Sequence, residues 1–186
     1  RLSRARKDRK MAVVNDHTVK AFDDDLNRLR GLISEMGGRA EQALLQAMTA
    51  LSNGDLELAA TVVKGDKKID ALESEVESLA IQTIALRAPM ADDLREVIAA
   101  LKIVSVVERI GDYAKNIAKR VALMDQTRSI DAIPLLNSMS HLVVDLIRDA
   151  LNSFAARDKD LARQVTERDK AVDDFYNSIF RTLVTF

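Results

Sequence analysis

"LRAPMADDLREVIAALKIVSVVERIGDYAKNIAKR", residues 86 to 120, decides the fold. Pro89 ends one helix, because Ala88 before it is pushed out of helical geometry. Asp92 and Asp93 then favour the start of the next, whose first turn attracts negative charge. Steps of three and four along this new helix pick out Leu94, Ile98, Leu101, Ser105, Glu108 and Asp112, which fall on one stripe. The stripe opens apolar and closes on two carboxylates. Taken as the inward face, it obliges Glu108 and Asp112 to have a partner or a use.

The same periodicity extends to both sides. Upstream, Leu58, Val62, Ile69, Leu72, Val76, Leu79 and Leu86 form the seam of a second helix, with Gly65 at one seam position. "SNGD" at 52–55 is a turn that offers Asp55 as N-cap. Before it, Phe22, Leu26, Leu29, Ile33, Met36, Ala40, Ala43, Ala47 and Leu51 alternate by four and three, a sustained heptad seam. Downstream, helix three runs to about Met124, and "DQTRSIDAIP" breaks the chain at 125–134. A fourth helix follows through residues 135–154, and a fifth runs from near Asp158 to the end. Only two prolines and six glycines interrupt 186 residues, and no stretch has the alternation of a strand. The chain is all-α.

A shift of 103 positions superposes the chain on itself: Met36 meets Met139, Ala47 meets Ala150, Asp55 meets Asp158, and Leu58 meets Leu161. In the same register Asp66, Lys67 and Asp70 meet Asp169, Lys170 and Asp173. Any two amphipathic helices share apolar matches, but aspartate pairs in register with a turn aspartate are harder to obtain by chance. The expected architecture is two tandem, similar three-helix bundles. The first spans 16–125 and the second 130–186. The second lacks its last helix, so Ile179, Phe180, Leu183, Val184 and Phe186 need a cover. That cover is a helix beyond this chain, an unobserved final helix, or a second copy forming a homodimer. Residues 1–15 are expected to be a disordered basic leader or residues foreign to the domain. The first ten carry six basic side chains and one acid.

Composition narrows the function. Lys+Arg 28 against Asp+Glu 29 leaves no global field for nucleic acid or an anionic membrane. With no cysteine there is no disulfide frame, thiolate nucleophile or zinc–thiolate site. No glycine-rich phosphate loop, nucleophile–base pair or histidine dyad stands out, so the protein is not expected to be an enzyme. "VIAALKIVSVV" is too short, and too interrupted by Lys102 and Ser105, to span a bilayer.

The carboxylates remain. Asp66 lies 23 residues before Pro89 and Asp112 lies 23 after; Asp70 and Glu108 lie 19 to either side. An antiparallel hairpin therefore sets one acidic pair opposite the other, with Glu73 on the same strip. Like charges so placed must be protonated, paired with cations or left wet. Oxygen ligands on facing helices suit hard cations or iron. His17 and His141 do not have the spacing of a di-iron bundle, so a metal would be held by carboxylates and water. Arg109 or Lys115 could neutralise the acids instead. Arg87 and Arg95 near the turn offer an anion site or, more simply, helix-end pairing.

"MGGRAEQALLQAM", "GDLELAATVVKGDKKIDALESEVE" and residues 86–120, with a weaker second copy from Leu135, resemble the PhoU family over Phe22 to Phe186. The resemblance implies two similar three-helix bundles in the cytoplasm. It also implies a regulator of phosphate uptake that dampens the phosphate-starvation response when phosphate is plentiful. Its implied partners are the ATPase subunit of the phosphate ABC transporter and a sensor histidine kinase. Nucleic acid is not among them, and the membrane is reached only through partners. Family members can carry multinuclear clusters of iron or other metals (zinc, manganese, magnesium) on paired acidic motifs. The matching positions are Asp66, Asp70, Glu108 and Asp112, with Asp169 and Asp173 in the second copy. The other pair of the second site would fall past residue 186. The alternative is a metal-storage or redox bundle similar to di-iron carboxylate proteins, against which the missing histidine ligands argue.

Overall fold

A computed structural model describes the backbone of residues 2–124 and 132–184 and the side chains of residues 20–124 and 132–184. Five helices follow in order: α1 (Leu2–Asn53), α2 (Leu56–Arg87), α3 (Asp92–Val121), α4 (Ile133–Ala156) and α5 (Lys159–Val184). No strand occurs among the described residues. The side chains of the expected leader, residues 1–15, lie outside the described residues.

Helices α1, α2 and α3 pack against one another, α4 lies on α1, and α5 touches α4 alone among the described elements. Leu26, Leu29, Ile33, Met36, Ala40 and Ala47 of the α1 seam are buried, as are Val62, Ile69, Leu72, Val76 and Leu79 of α2. Both heptad readings hold, apart from Leu86, which is exposed. Burial of such side chains, about 1.5–3 kcal/mol each, is the main force joining the three helices.

Helix α3 departs from the expectation. Its buried residues are Val97, Ala100, Val104, Val107, Gly111, Ala114, Ala118 and Val121. The stripe from Leu94 to Asp112 flanks that core: Leu94 and Ile98 are 36% and 39% exposed, and Ser105 is exposed. Side-chain size explains the misreading. Large Leu94 and Ile98 advertise a core face, yet small Val, Ala and Gly residues line the real one because two other helices press close to it. Helix α3 also ends at Val121, short of Met124.

The turns carry the repeat. Asp55 caps α2 by accepting from the Leu58 amide, and Gly54 before it has φ 65°. At the repeat-equivalent turn Asp158 accepts from the amides of Asp160 and Leu161, and Arg157 has φ 53°. The same left-handed step followed by an aspartate cap thus opens the second helix of each unit. At the α2–α3 turn Ala88 and Ala91 both have positive φ, so the chain leaves right-handed helical geometry on both sides of Pro89.

Ion pairs tie α4 and its turn to the first bundle. Glu96 accepts from Arg30 of α1, with Nε 2.7 Å away, and also from Arg157 of the α4–α5 turn. Arg148 of α4 reaches Glu41 of α1 at 2.8 Å. Gly37 lets α4 approach: a Cβ there would stand 2.1 Å from Leu151 Cδ1. Arg87 pairs with Asp25 and Arg95 with Asp92, so both arginines serve helix ends.

Candidate functional site

The hairpin of α2 and α3 brings the expected carboxylates together. Asp66 faces α3 from a buried position, 5% exposed, whereas Asp70 one turn on is exposed and Glu73 half-buried. Glu108 and Asp112 of α3 are half-buried on the facing flank. Between the helices Lys115 Nζ lies 2.5 Å from Asp66 Oδ2 and 2.8 Å from Asp112 Oδ1. One ammonium therefore closes the end of the cluster nearer Asp66, leaving Asp70, Glu73 and Glu108 as its acidic surplus.

Electrostatics divide the group accordingly. Burial first, then the neighbouring Asp112, Asp70 and Asp66, push the Glu108 carboxyl above its usual range. Burial and then Glu108 do the same to Glu73. The Lys115 hydrogen bond holds Asp112 below the ordinary aspartate range. Bonds to Asp112 and then Asp66 raise Lys115 above the ordinary lysine value.

A raised carboxyl binds its proton more tightly in the native state, so stability falls as pH climbs from 4.5 through the folded value. Asp112 works oppositely, and its contribution is lost as pH falls below 3.8. Glu108→Gln removes a charge disfavoured by burial and then by its acidic neighbours, and is expected to raise the melting temperature by about 2 °C near pH 7, with the gain vanishing at about pH 4. A lower melting temperature for the variant at neutral pH would show that Glu108 is held by attraction instead.

Asp169 and Asp173 are exposed on α5, which packs only on α4 among the described elements. The structure does not bring them to the other four acids. By donor chemistry the α2–α3 cluster suits a hard cation. As placed, however, it does not fit a resident one: Lys115 stands between Asp66 and Asp112. Among the described residues, no group of three or more His, Cys, Asp or Glu side chains is arranged to hold a metal ion.

Gly111 escaped notice in the sequence, although it sits between the two α3 acids. It is buried, and a Cβ there would meet Ile69 Cδ1 at 2.8 Å and Cγ2 at 3.3 Å. Its missing side chain lets α2 and α3 close at the level of the carboxylates. The available signal was its spacing from Val107 and Ala114, the small-residue stripe of the true core.

Comparison with known proteins is consistent with this fold. A PhoU domain model matches residues 33–121 and 136–186. The chain is 52% identical over 170 residues to a phosphate-specific transport system accessory protein PhoU homolog of Zymomonas mobilis, covering 91% of this chain and 72% of the relative. A homolog of the same name from Caulobacter vibrioides is 40% identical over 174 residues, covering 93% and 76%. The crystal structure of PhoU from Pseudomonas aeruginosa superposes with TM-score 0.82 at 34% identity, over 88% of this chain and 79% of that one. That of the phosphate transport system regulatory protein PhoU from Streptococcus pneumoniae also reaches TM-score 0.82, at 26% identity, over 88% and 77%. With its helical hairpin, repeated caps and matched sequence over most of its length, the chain belongs to the PhoU family.

Proposed function

We propose that the protein is a non-enzymatic regulator of phosphate uptake, an adaptor between the ATPase subunit of a phosphate ABC transporter and a sensor histidine kinase. Membership of the PhoU family carries this reading, since its relatives are named as accessory proteins of the phosphate-specific transport system. The partners are cytoplasmic surfaces, and no helix among the described residues is long and apolar enough to cross a membrane. Phosphate sufficiency is relayed as negative regulation of the starvation response.

The finer part of the proposal concerns the carboxylates. Lys115 bridges Asp66 of α2 and Asp112 of α3 and so stiffens the α2–α3 hairpin, which supports the adaptor surface. Burial first and then the neighbouring acids raise Glu73 and Glu108, so the acidic face of the hairpin depends on the Lys115 charge beside it.

Deletion of the gene is expected to leave phosphate-responsive genes on in phosphate-rich medium, measured with a transcriptional reporter. Normal shut-off in the deletion strain would defeat the regulatory reading. Restoration by the Glu108→Gln/Asp112→Asn variant would keep the adaptor and remove these carboxylates from its signalling.

A further inference from the structure

We infer that the groove between α1 and α2 at Gly65 is a docking site for an acidic side chain of a protein partner, a glutamate or aspartate presented on an exposed segment. The inference rests on the adaptor reading and deepens it by naming one point of contact and the chemistry that recognises it.

Gly65 lies in the interior of α2 without a positive φ, and a Cβ there would meet nothing within 4 Å. Neither backbone geometry nor close packing asks for glycine, which weakens a helix interior relative to alanine. Gly65 instead opens onto a groove of about 200 Å³ between α1 and α2. Val62 and Ile69 give it a buried apolar floor, and Arg39, Gln42, Gln46 and Lys68 stand around it. Small-molecule sites run to roughly 300–1,000 Å³, so this one suits a single anchoring side chain. The second unit has the same place filled. The shift of 103 sets Gly65 on Arg168 and Gln46 on Asp149, and Arg168 Nη1 lies 2.5 Å from Asp149 Oδ2 across α5 and α4. At Gly65 the long side chain is gone and the carboxylate has become an amide, so an ion pair gives way to an open groove. Its charge is positive. Lys68 is exposed and has no ion-pair partner among the described residues, nor are Gln42 and Gln46 hydrogen-bonded there. Arg39 pairs with Glu35 of its own helix, both well exposed, a contact weak enough to open. An entering carboxylate therefore finds an ammonium, a guanidinium and two amide donors above an apolar floor, a setting for charge-assisted hydrogen bonds.

The test measures the affinity of the purified chain for the transporter ATPase subunit and for the full-length sensor kinase in detergent. Wild type is compared with Lys68→Glu and with Gly65→Arg/Gln46→Asp, which rebuilds the ion pair of the second unit inside the groove. Each variant is expected to weaken binding to one of the two partners about tenfold or more. A folded variant that keeps wild-type affinity for both overturns the inference and leaves the adaptor reading standing. Failure of wild type to bind either partner defeats the adaptor reading, and the inference with it. Lys68→Glu changes only an exposed side chain, so its result holds even if the groove-filling variant does not fold. Gly65→Ala is expected to raise the melting temperature by about 2 °C; a fall would show that packing requires the glycine, and overturns the inference. Two further outcomes name another occupant and also overturn it. Inorganic phosphate that raises the melting temperature of wild type but not of Gly65→Arg/Gln46→Asp would make the occupant a free anion. Self-association of wild type that is lost in that variant would make it a second copy of the chain.

Discussion

Gly111→Leu is expected to lower the unfolding free energy by about 3–4 kcal/mol in chemical denaturation, more than any ordinary surface change. The Cβ alone meets Ile69 Cδ1 at 2.8 Å, Cγ2 at 3.3 Å and Cβ at 3.7 Å. Ile69 is β-branched and 2% exposed, so it has few rotamers to escape into. The leucine must therefore push α2 from α3 or force strained side chains. Gly111→Ala is expected to cost about 1 kcal/mol or less, because the gain in helix propensity offsets part of the clash. The double variant Gly111→Leu/Ile69→Ala should lose less than the sum of its singles by about 2 kcal/mol, since each change relieves the other. Additivity would show that the two residues do not oppose each other. The same spread of helices would pull Lys115 from Asp66, so the carboxylate cluster depends on a missing side chain.

The Asp66–Lys115 pair gives the second large effect, and the two partners should not be equivalent. Lys115→Met leaves the Asp66 carboxylate buried without its cation, and is expected to cost about 3 kcal/mol in chelator-treated protein. Asp66→Asn should cost about 1–2 kcal/mol, because Lys115 keeps Asp112 at 2.8 Å and reaches water. Asp66→Leu/Lys115→Met replaces both partners by apolar groups and should recover most of the loss. Equal costs for the two singles, or a double variant as unstable as their sum, would mean that the pair is a solvated contact with little coupling. The first unfolding experiment tests geometry and the second tests charge, and they probe the same few ångströms of the hairpin.

How far the sequence reaches can be seen along α3. Heptad spacing located the seams of α1 and α2 except at Leu86, which is exposed, because large apolar side chains mark those faces. The symmetry about Pro89 paired Asp66 with Asp112 and Asp70 with Glu108, and the structure does bring those four acids together. On α3 itself the same spacing misled, since Leu94 and Ile98 are the large residues while Val104, Gly111 and Ala114 form the core. Hydrophobic size signals burial only when the partner leaves room for it. Between two closely pressed helices the small residues go inside.

Sequence alone determined the all-α class, the caps and breaks, the internal repeat, and the meeting of two acidic pairs across a hairpin. These follow from local rules, in which proline, cap residues and periodicity act within a few positions of themselves. Tertiary structure decided which stripe of α3 turns inward, how close α2 comes at Gly111, and whether Lys115 or Arg109 answers the acids. Those outcomes depend on packing distances and on which flexible stem reaches a buried carboxylate, and neither is written in the spacing of one helix. The pair of acids that stood out at Glu108 and Asp112 is therefore a flank closed by Lys115, built over a glycine that lets two helices meet.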